Sequence, residues 1–268
     1  MKNFPAKSKF DKKLILILKK IHSKLSFFGI NLYTLFSLYR FKKYFYEAKI
    51  YKKMGGKIHS YKPVLTDYTS QAGIAKGHYF HQDLLVASLI FKKNPRRHID
   101  IGSRIDGFVA HVASFRKIEV MDVRKLDIQE HTNIKFIKAN LMKSPTYNGL
   151  ADSISCLHAI EHFGLGRYGD PVEPNGHLIG FENIINLLKP NGLIYISVPI
   201  GKRNETHFNA HRIFHPKDIL KWPSQKKMLK LVRFDFVDDL GFLHTNVNIK
   251  TKRISVKYGC GIYTFMKC

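Results

Sequence analysis

Residues 98–107 read HIDIGSRIDG, and this stretch decides the predicted fold. Its first four residues have the short apolar pattern of a buried β-strand, and residues 108–115 are predicted to form a helix. Glycine between the two elements permits a tight turn and a close approach of the backbone. The free N–H groups and the positive dipole end of a helix N-terminus can bind the carboxylate of a ligand. A glycine-rich turn alone is also common where nothing binds. Whether this turn belongs to a ligand-binding site therefore depends on the residues predicted to lie beside it.

Strands and helices alternate on both sides of this turn. Helices are predicted over 79–93 and 178–188, and strands over 98–101, 118–123, 134–139, 153–157 and 193–198. Such alternation is typical of a doubly wound, mostly parallel sheet. Two long β-rich runs, 228–237 and 256–266, follow without a strong helix between them and predict a closing antiparallel pair. We therefore predict a Rossmann-like α/β domain over residues 63–268, with a seven-stranded sheet and a closing antiparallel β-hairpin, after a helical extension over residues 1–62.

Two polar residues end the next two predicted strands. Asp122 lies 22 residues after Asp100, where a carboxylate can accept both hydroxyls of a ribose or else cap a turn. Asn140 can bond an adenine amino group or, equally, form a turn. A nicotinamide dinucleotide would use the same turn, but Arg104 stands where G-x-G-x-x-G needs its middle glycine for the pyrophosphate. An adenosine ligand with an amino-acid carboxylate is therefore favoured.

The order of these residues resembles class I S-adenosylmethionine-dependent methyltransferases over about residues 78–267. The resemblance is carried by Asp100-x-Gly102 and Asp122, by SCLHAIEH at 155–162 and by LKPNGLIYISVP at 188–199. It implies the Rossmann-like methyltransferase fold and S-adenosyl-L-methionine as cofactor. HIDIGSRIDGFVAHV (98–112), GLGRYGDP (164–171) and FNAHRIF (208–214) are similar to a branch of methyltransferase-like proteins often associated with bacterial surface-polysaccharide genes.

By position, the resemblance implies cofactor-binding roles at the ends of the first four strands. The loop after the first strand would hold the methionine end, Asp122 the ribose, and the following positions the adenine and the pocket wall. Two positions depart from the family pattern: Arg104 replaces a glycine usual in the loop, and Asn140 stands where aspartate is common. The predicted cofactor-binding residues are Asp100, Gly102, Ser103, Asp122, Asn140, Leu141, His158 and Ala159.

Polar clusters follow the fourth and fifth strands, at 161–171 and 207–212, at the edge of the sheet where open α/β folds bind ligands. A neutral histidine can take a proton from a hydroxyl, and methyl transfer needs an in-line approach to the sulfonium methyl. His162 and His211 are therefore candidate catalytic bases, although with 14 histidines in the chain either can be merely structural. The predicted substrate-binding residues are Glu161, Arg167, Tyr168, Asp170, His207, Asn209 and Arg212.

Two alternatives apply to these clusters. Arg167 and Arg212 suit an acidic sugar or a phosphate group, and structural salt bridging is equally plausible for them. A metal ion could be held by residues of both clusters, but their spacing is not a tight ligand signature, so no metal site is predicted. The residues weighed for it are Glu161, His162, His207 and His211.

The positive charge of the chain lies mostly in its N-terminal extension. The chain carries 45 Lys and Arg against 20 Asp and Glu, for a net charge of +25, and residues 1–62 hold 16 of the basic residues with only two acidic ones. The apolar segments 14–18 and 25–39 are too short to cross a bilayer. Together with the lysines they predict basic amphipathic helices on an anionic membrane face, or else a helical cap with a solvated lysine face. A lysine-rich genome is the alternative origin of the charge.

The cysteine pattern indicates the redox state of the cellular compartment. Cys156, Cys260 and Cys268 form no CxxC pair, which fits a reducing compartment and argues against disulfides and structural zinc. The N-terminus has neither a signal-peptide core of sufficient length nor a small-residue cleavage site. We predict a cytoplasmic protein that can associate peripherally with the inner face of the membrane.

The leading hypothesis is O-methylation of a sugar or surface-glycan precursor, with S-adenosyl-L-methionine as cofactor and a small molecule or glycan as acceptor. RNA methylation is the second enzymatic hypothesis. A nucleic-acid partner is disfavoured because the positive charge lies in an apolar-rich extension rather than around the cleft. Arg104 and Asn140 differ from the family pattern, and they motivate a third hypothesis, in which the protein has a methyltransferase fold and binds a ligand without catalysis.

Overall fold

The computed structural model describes residues 37–126, 131–143, 148–222 and 228–268, apart from the side chain of Thr69. The chain divides into two compact units, of which the first ends at Ile74 and the second comprises Ala75–Cys268. The described part of the first unit contains 3-10 turns at Leu38–Arg40 and Asp67–Thr69 and helix α1 at Phe41–Lys53. The predicted apolar segment 14–18, and all of 25–39 except its last three residues, lie outside the described residues.

Helix α1 buries none of its residues and presents aromatic side chains among lysines. Phe45, Tyr46 and Tyr51 are each more than half exposed. The helix is preceded by Arg40, whose guanidinium donates a hydrogen bond of 2.8 Å to the carbonyl oxygen of Leu65. Across the ranges that the structure describes, there is no helix with the length and apolar character needed to cross a membrane.

The second unit alternates strands with helices. Its helices are α2 (His78–Lys93), α3 (Ala110–Ala113) and α4 (Gly176–Leu187). Its strands are β1 (His98–Ile101), β2 (Ile118–Asp122), β3 (Ile134–Lys138), β4 (Ala151–Leu157), β5 (Leu188–Ile200), β6 (Glu205–His207), β7 (His211–Ile213), β8 (Leu229–Val237), β9 (Leu243–His244) and β10 (Gly259–Lys267).

The main sheet has the strand order β3-β2-β1-β4-β5-β10-β8-β9. Its first five strands in this order pair in parallel, and β10 is inserted antiparallel between β5 and β8. This arrangement confirms the predicted Rossmann-like fold with a closing antiparallel pair. The sheet has eight strands rather than seven because Leu243 and His244 fold back to pair with the end of β8.

Burial follows the position of each strand in the sheet. All four residues of β1 and most of β4 and β5 are buried, as expected where helices cover both faces of a parallel sheet. Edge strand β3 is only partly buried and carries Lys135 and Lys138 as its exposed residues. Two apolar clusters form the core, one including Ile99 and Ile154, the other including Val86 and Val120.

The helices near β1 differ in detail from the prediction. The buried face of α2 contains Gln82 and Asp83 beside Val86, Ala87 and Ile90, so polar residues occupy part of the face that faces the sheet. The helix ends at Asn94, in the left-handed conformation that commonly terminates helices. The segment after β1, predicted as a helix over 108–115, begins with a π-type turn at Ile105–Val109 and is α-helical only over α3, because Gly107 has non-helical dihedral angles.

Candidate functional site

The turn after β1 requires glycine. Gly102 has a φ of +74°, and a Cβ atom there would lie 2.9 Å from the Cβ of Ala159. Its N–H donates to the carbonyl oxygen of Met121 at 2.9 Å. An L-residue would be strained in this conformation and would push against the end of β4. The turn therefore brings the carboxyl ends of β1, β2 and β4 into contact.

Asp100 lies beneath this turn with its side chain fully buried. Its carboxylate accepts hydrogen bonds from the Ser103 N–H (3.1 Å), the Ser103 hydroxyl (2.9 Å) and the Ser155 hydroxyl (2.5 Å). Burial raises the pKa of Asp100 to about 7 although these bonds favour the ionised form. Burial also raises the pKa of nearby Asp83 on α2. His111 and His158 lower the pKa of Asp83 but do not cancel the effect of burial, so a cationic ligand group beside the two carboxylates would be stabilised.

Six of the eight predicted cofactor-binding residues line one narrow slot at the carboxyl edge of the sheet. Asp100 lies beneath the slot, and Ser103 lines the wider cleft beside it, whose volume of about 800 Å³ is ample for a ligand of adenosyl amino-acid size. The slot therefore joins the glycine turn to the residues that end β2, β3 and β4. The six are Gly102, Asp122, Asn140, Leu141, His158 and Ala159.

Asp122 is paired with Arg124 in the structure. The Arg124 backbone N–H and Nε donate to Oδ1 at 2.8 and 2.9 Å, and a terminal nitrogen donates to Oδ2 at 2.5 Å. The hydrogen bonds that Arg124 donates to Asp122 raise the pKa of the guanidinium. The guanidinium also lies 4.6 Å from the ring centroid of Tyr168. Arg124 lines both the slot and the cleft. Arg124 was not among the residues predicted from the sequence, although an Asp-x-Arg pair at a strand end is a recognisable signal.

Asn140 adopts the geometry of a turn former. Its side-chain oxygen accepts a hydrogen bond from the Met142 N–H at 2.9 Å, and Asn183 on α4 fixes the same loop by donating to the Leu141 carbonyl oxygen at 2.8 Å. Both Asn140 and Leu141 still line the slot. Forming the turn and flanking a ligand are therefore compatible at this position.

His162 is the candidate base with the better-defined geometry. Its Nδ1 lies 2.7 Å from the Ala210 carbonyl oxygen, which requires a proton on Nδ1 and leaves the lone pair on Nε2. Burial lowers the pKa of His162, so the neutral form is present at neutral pH. The residue lines both the slot and the cleft. His162 can therefore accept a proton through Nε2.

The loop that follows His162 is held by its own side chains. Asp170 accepts hydrogen bonds from the N–H groups of Gly164 (2.8 Å) and Tyr168 (3.2 Å). Arg167 donates to the Ala210 carbonyl oxygen at 2.8 Å, and its guanidinium lies 5.2 Å from the Tyr168 ring centroid. Asp170 lines the slot, Arg167 lines the cleft, and Tyr168 lines both. The predicted polar insert thus forms the wall between the two.

The second predicted cluster is split by the hairpin of β6 and β7. His211 lines the cleft, and burial together with His207 lowers its pKa. His207 stacks on His211 with ring centroids 5.3 Å apart, but it is exposed and bonds Glu205 at 3.1 Å. Neither His207 nor Asn209 is among the residues that line the cleft.

Arg212 is directed away from the cleft. It is 5% exposed and donates to the carbonyl oxygens of Phe163 (2.6 Å), Pro174 (3.1 Å) and Glu161 (3.3 Å). A guanidinium bonded to backbone on three sides has little capacity left for a substrate anion. Its geometry is that of a structural clamp on the loop, whereas the Glu161 side chain does reach the cleft.

Other cleft residues come from parts of the chain that carried no site signal. His78, Tyr79, Gln82 and Asp83 at the start of α2 line one wall, and Tyr258 before β10 lines another. The polar residues on the buried face of α2 were the only available hint, because an amphipathic helix that packs on a sheet ordinarily buries apolar residues.

Comparisons with known proteins give no function for this chain. Residues 108–221 match a protein-family profile described as "Caenorhabditis protein of unknown function, DUF268". No protein with a curated description is significantly similar in sequence. Among solved structures, the N-methyltransferase NodS from Bradyrhizobium japonicum WM9, crystallised with S-adenosyl-L-homocysteine, is 11% identical, with a TM-score of 0.47 over 71% of this chain and 88% of that one.

Two other structures are similar to about the same degree. The 1,6-didemethyltoxoflavin-N1-methyltransferase of Burkholderia thailandensis is 13% identical, with a TM-score of 0.48 over 69% of this chain and 78% of that one. The [4+2]-cyclase SpnF is 13% identical, with a TM-score of 0.49 over 73% and 88%. Similarity at this level transfers neither substrate nor activity.

Proposed function

We propose that the protein is an S-adenosyl-L-methionine-dependent methyltransferase that methylates a hydroxyl group. The observation that carries the proposal is the slot itself, where a glycine turn, a strand-end carboxylate and the loop after β3 meet although they are far apart in sequence. An adenosine with a short charged arm needs these three features together. Asp122 would hold the ribose, and Asn140 and Leu141 would flank the adenine.

The buried carboxylates fit the charge of this cofactor. When bound, S-adenosyl-L-methionine supplies a methyl group activated by a positively charged sulfur. Burial raises the pKa values of Asp83 and Asp100, so both carboxylates favour a ligand that brings positive charge to the glycine turn. The backbone N–H groups after Gly102 are placed to receive the carboxylate of the amino-acid arm.

The residues around His162 support a hydroxyl acceptor. Neutral His162, with its lone pair on Nε2, can accept the proton that a hydroxyl loses as its oxygen is methylated. Arg167, Tyr168 and His211 surround the space where the acceptor would lie. A cationic and aromatic wall suits a sugar that carries an acidic or phosphate group, so we propose a sugar or surface-glycan precursor as acceptor.

Calorimetry with S-adenosyl-L-methionine and S-adenosyl-L-homocysteine tests the cofactor. We expect wild type to bind both and Asp122→Asn to bind at least about tenfold more weakly, the loss of one charge-assisted hydrogen bond. Asp152→Asn is the matched control, since this carboxylate pairs with Lys189 away from the slot. Absence of wild-type binding, or equal affinity in Asp122→Asn, would reject the proposal.

The acceptor is tested by mass spectrometry of candidate nucleotide sugars after incubation with the protein and cofactor. The expected result is a product heavier by one methylene group, formed at least about 100-fold more slowly with His162→Gln. Cofactor binding without any methylated product would instead favour a non-catalytic binding protein. That second function is favoured by one observation, the pairing of Asp122 with Arg124, which already uses the predicted ribose ligand.

We also propose that α1 contributes to peripheral binding at an anionic membrane face. Its exposed aromatic residues are interspersed with lysines, the composition of an interfacial helix. Co-sedimentation with vesicles that contain anionic lipid should fall for Tyr46→Ser and Tyr51→Ser but not for Phe242→Ser, an exposed aromatic residue of the second unit. Equal sedimentation of all variants would contradict this proposal.

A further inference from the structure

Three metal-ligating side chains meet at the floor of the cleft. The ligand atoms of His78, His158 and Cys260 all lie within 4.8 Å of one another. His78 begins α2, His158 follows β4, and Cys260 lies on β10 beside Pro199 of β5. The residues are separated by 80 and 102 positions in the sequence, so only the fold brings them together.

His158 is oriented as a metal ligand would be. Its Nδ1 lies 2.8 Å from the Glu161 carboxylate, while its Nε2 is buried and has no hydrogen-bond partner. The side chain of His158 is only 5% exposed. Metal-binding histidines commonly donate one ring N–H to a carboxylate, which fixes the tautomer and leaves the other nitrogen free to coordinate. Since a buried polar atom without a partner is costly, a bound ion gives the His158 Nε2 a role.

The other two ligands are held just as closely. The His78 ring is stacked parallel to His158, with centroids 5.4 Å apart and an interplanar angle of 1°, and its opposite face packs on Tyr258 at 5.4 Å. The Cys260 thiol is fully buried and makes only long contacts, 3.7 Å to the Gln82 side-chain oxygen and 3.9 Å to the Gly261 carbonyl oxygen. The remaining polar neighbour of this sulfur within the described residues is the His158 imidazole, itself one of the three proposed ligands.

We propose that His78, His158 and Cys260 bind one divalent ion of the zinc type. Two imidazoles and a thiolate suit Zn²⁺ and disfavour Mg²⁺ and Ca²⁺, which prefer oxygen ligands. In a tetrahedral zinc site with bonds of about 2.0–2.3 Å, ligand atoms stand roughly 3.5 Å apart, so the side chains must close by about 1 Å. Binding displaces the thiol proton to solvent.

The position of the site indicates an open coordination position. His78 and His158 line the cleft, whereas Cys260 lies behind them. An ion held by three protein ligands would keep a fourth position for a water molecule or a substrate atom. Three-ligand zinc sites of this kind are typical of catalytic rather than structural zinc. The site involves neither His207 nor His211, and its existence does not depend on the proposed methyl transfer.

Titration of the chelator-treated full chain with Co²⁺ tests the site, because a cobalt–thiolate bond gives a charge-transfer absorption in the near ultraviolet. We expect one Co²⁺ per chain, with this absorption lost in Cys260→Ser and retained in Cys156→Ser and Cys268→Ser. Cys156 is a matched control as the other fully buried thiol, and Cys268 controls for binding at the exposed one. Zn²⁺ should displace the Co²⁺ and abolish the absorption.

Two further variants keep the test decisive if Cys260→Ser folds poorly. His78→Phe preserves the ring stack, removes one ligand and should weaken Co²⁺ binding at least tenfold. Glu161→Gln, at the positioning residue for His158, should weaken it by roughly 10- to 100-fold. Absence of stoichiometric binding, or a thiolate absorption that survives in Cys260→Ser, overturns the proposal. Calorimetry with S-adenosyl-L-homocysteine in the presence of chelator separates this result from a failure of the cofactor site.

Discussion

The titration of Asp100 should be visible in the stability of the protein. Its side chain is fully buried, and burial raises its pKa to about 7 from an ordinary value of 3.8. At pH values between these two pKa values, the folded protein binds the proton of the Asp100 carboxyl more tightly than the unfolded chain does. The free energy of unfolding therefore decreases as pH rises through this range, and the loss is complete above the folded pKa.

Asp100→Asn removes the titration while keeping the size of the side chain and an oxygen acceptor for Ser103 and Ser155. Each pH unit within the range corresponds to about 1.4 kcal/mol. Between about pH 5 and pH 8, Asp100 should therefore cost the wild type ~3 kcal/mol relative to the variant. At roughly 2–4 °C per kcal/mol for a unit of this size, the melting temperature of the variant should rise by about 6–12 °C relative to wild type.

Thermal unfolding followed by circular dichroism across this range measures the difference. Other buried groups, such as His98 with its pKa lowered by burial to about 3, are common to both proteins and cancel. Asp106→Asn is the control, because that carboxylate is exposed and its hydrogen bond with Arg104 lowers its pKa. The difference in melting temperature between Asp106→Asn and wild type should therefore not vary with pH over this range. A constant or reversed difference for Asp100→Asn would refute the reasoning.

Three further substitutions test separate parts of the site. Gly102→Ala should lower the free energy of unfolding by about 1–2 kcal/mol and weaken S-adenosyl-L-homocysteine binding at least about tenfold. The cause is the φ of +74° at Gly102 and its contact with Ala159. Thermal unfolding measures the first effect, and calorimetry measures the second. His162→Gln should reduce turnover by about 10²- to 10⁴-fold with little change in cofactor affinity, and the acid limb of the wild-type pH–rate profile should lie below the ordinary histidine pKa of 6.5. Arg212→Met should cost about 2–5 kcal/mol by leaving buried carbonyl oxygens without donors, and limited proteolysis should cut between residues 163 and 174 faster than in wild type.

The sheet was predictable because its strands carry a strong local signal. The bounds of β1 are those predicted, and β2, β3 and the antiparallel pair of β8 and β10 differ from prediction by three residues or fewer at each end. The short hairpins β6–β7 and β8–β9 were missed, since strands of two or three residues are too short to show a periodic pattern. Their pairing is decided by the turn between them rather than by burial.

The sequence predicts the positions of only those site residues that lie at the ends of strands. Parallel strands bring their carboxyl ends to one edge, so Gly102, Asp122 and Ala159 were expected together, and they line one slot. The direction of a side chain beyond a strand end depends on the loop, and Arg212 turns toward three carbonyl oxygens instead of the cleft. The meeting of Cys260 with His78 depends on where β10 inserts in the sheet, which no local pattern encodes.

The pair formed by Asp122 and Arg124 links ligand entry to the loop after β4. A carboxylate offers about four lone-pair sites, and Arg124 uses three of them through its backbone N–H, Nε and a terminal nitrogen. Two ribose hydroxyls cannot both donate to the remaining site, so at least one Arg124 bond must open to admit them. Since the same guanidinium lies over the Tyr168 ring, freeing Asp122 also removes a contact that holds Tyr168 at the slot. Binding at the ribose carboxylate and the position of Tyr168 are thus coupled through a single side chain.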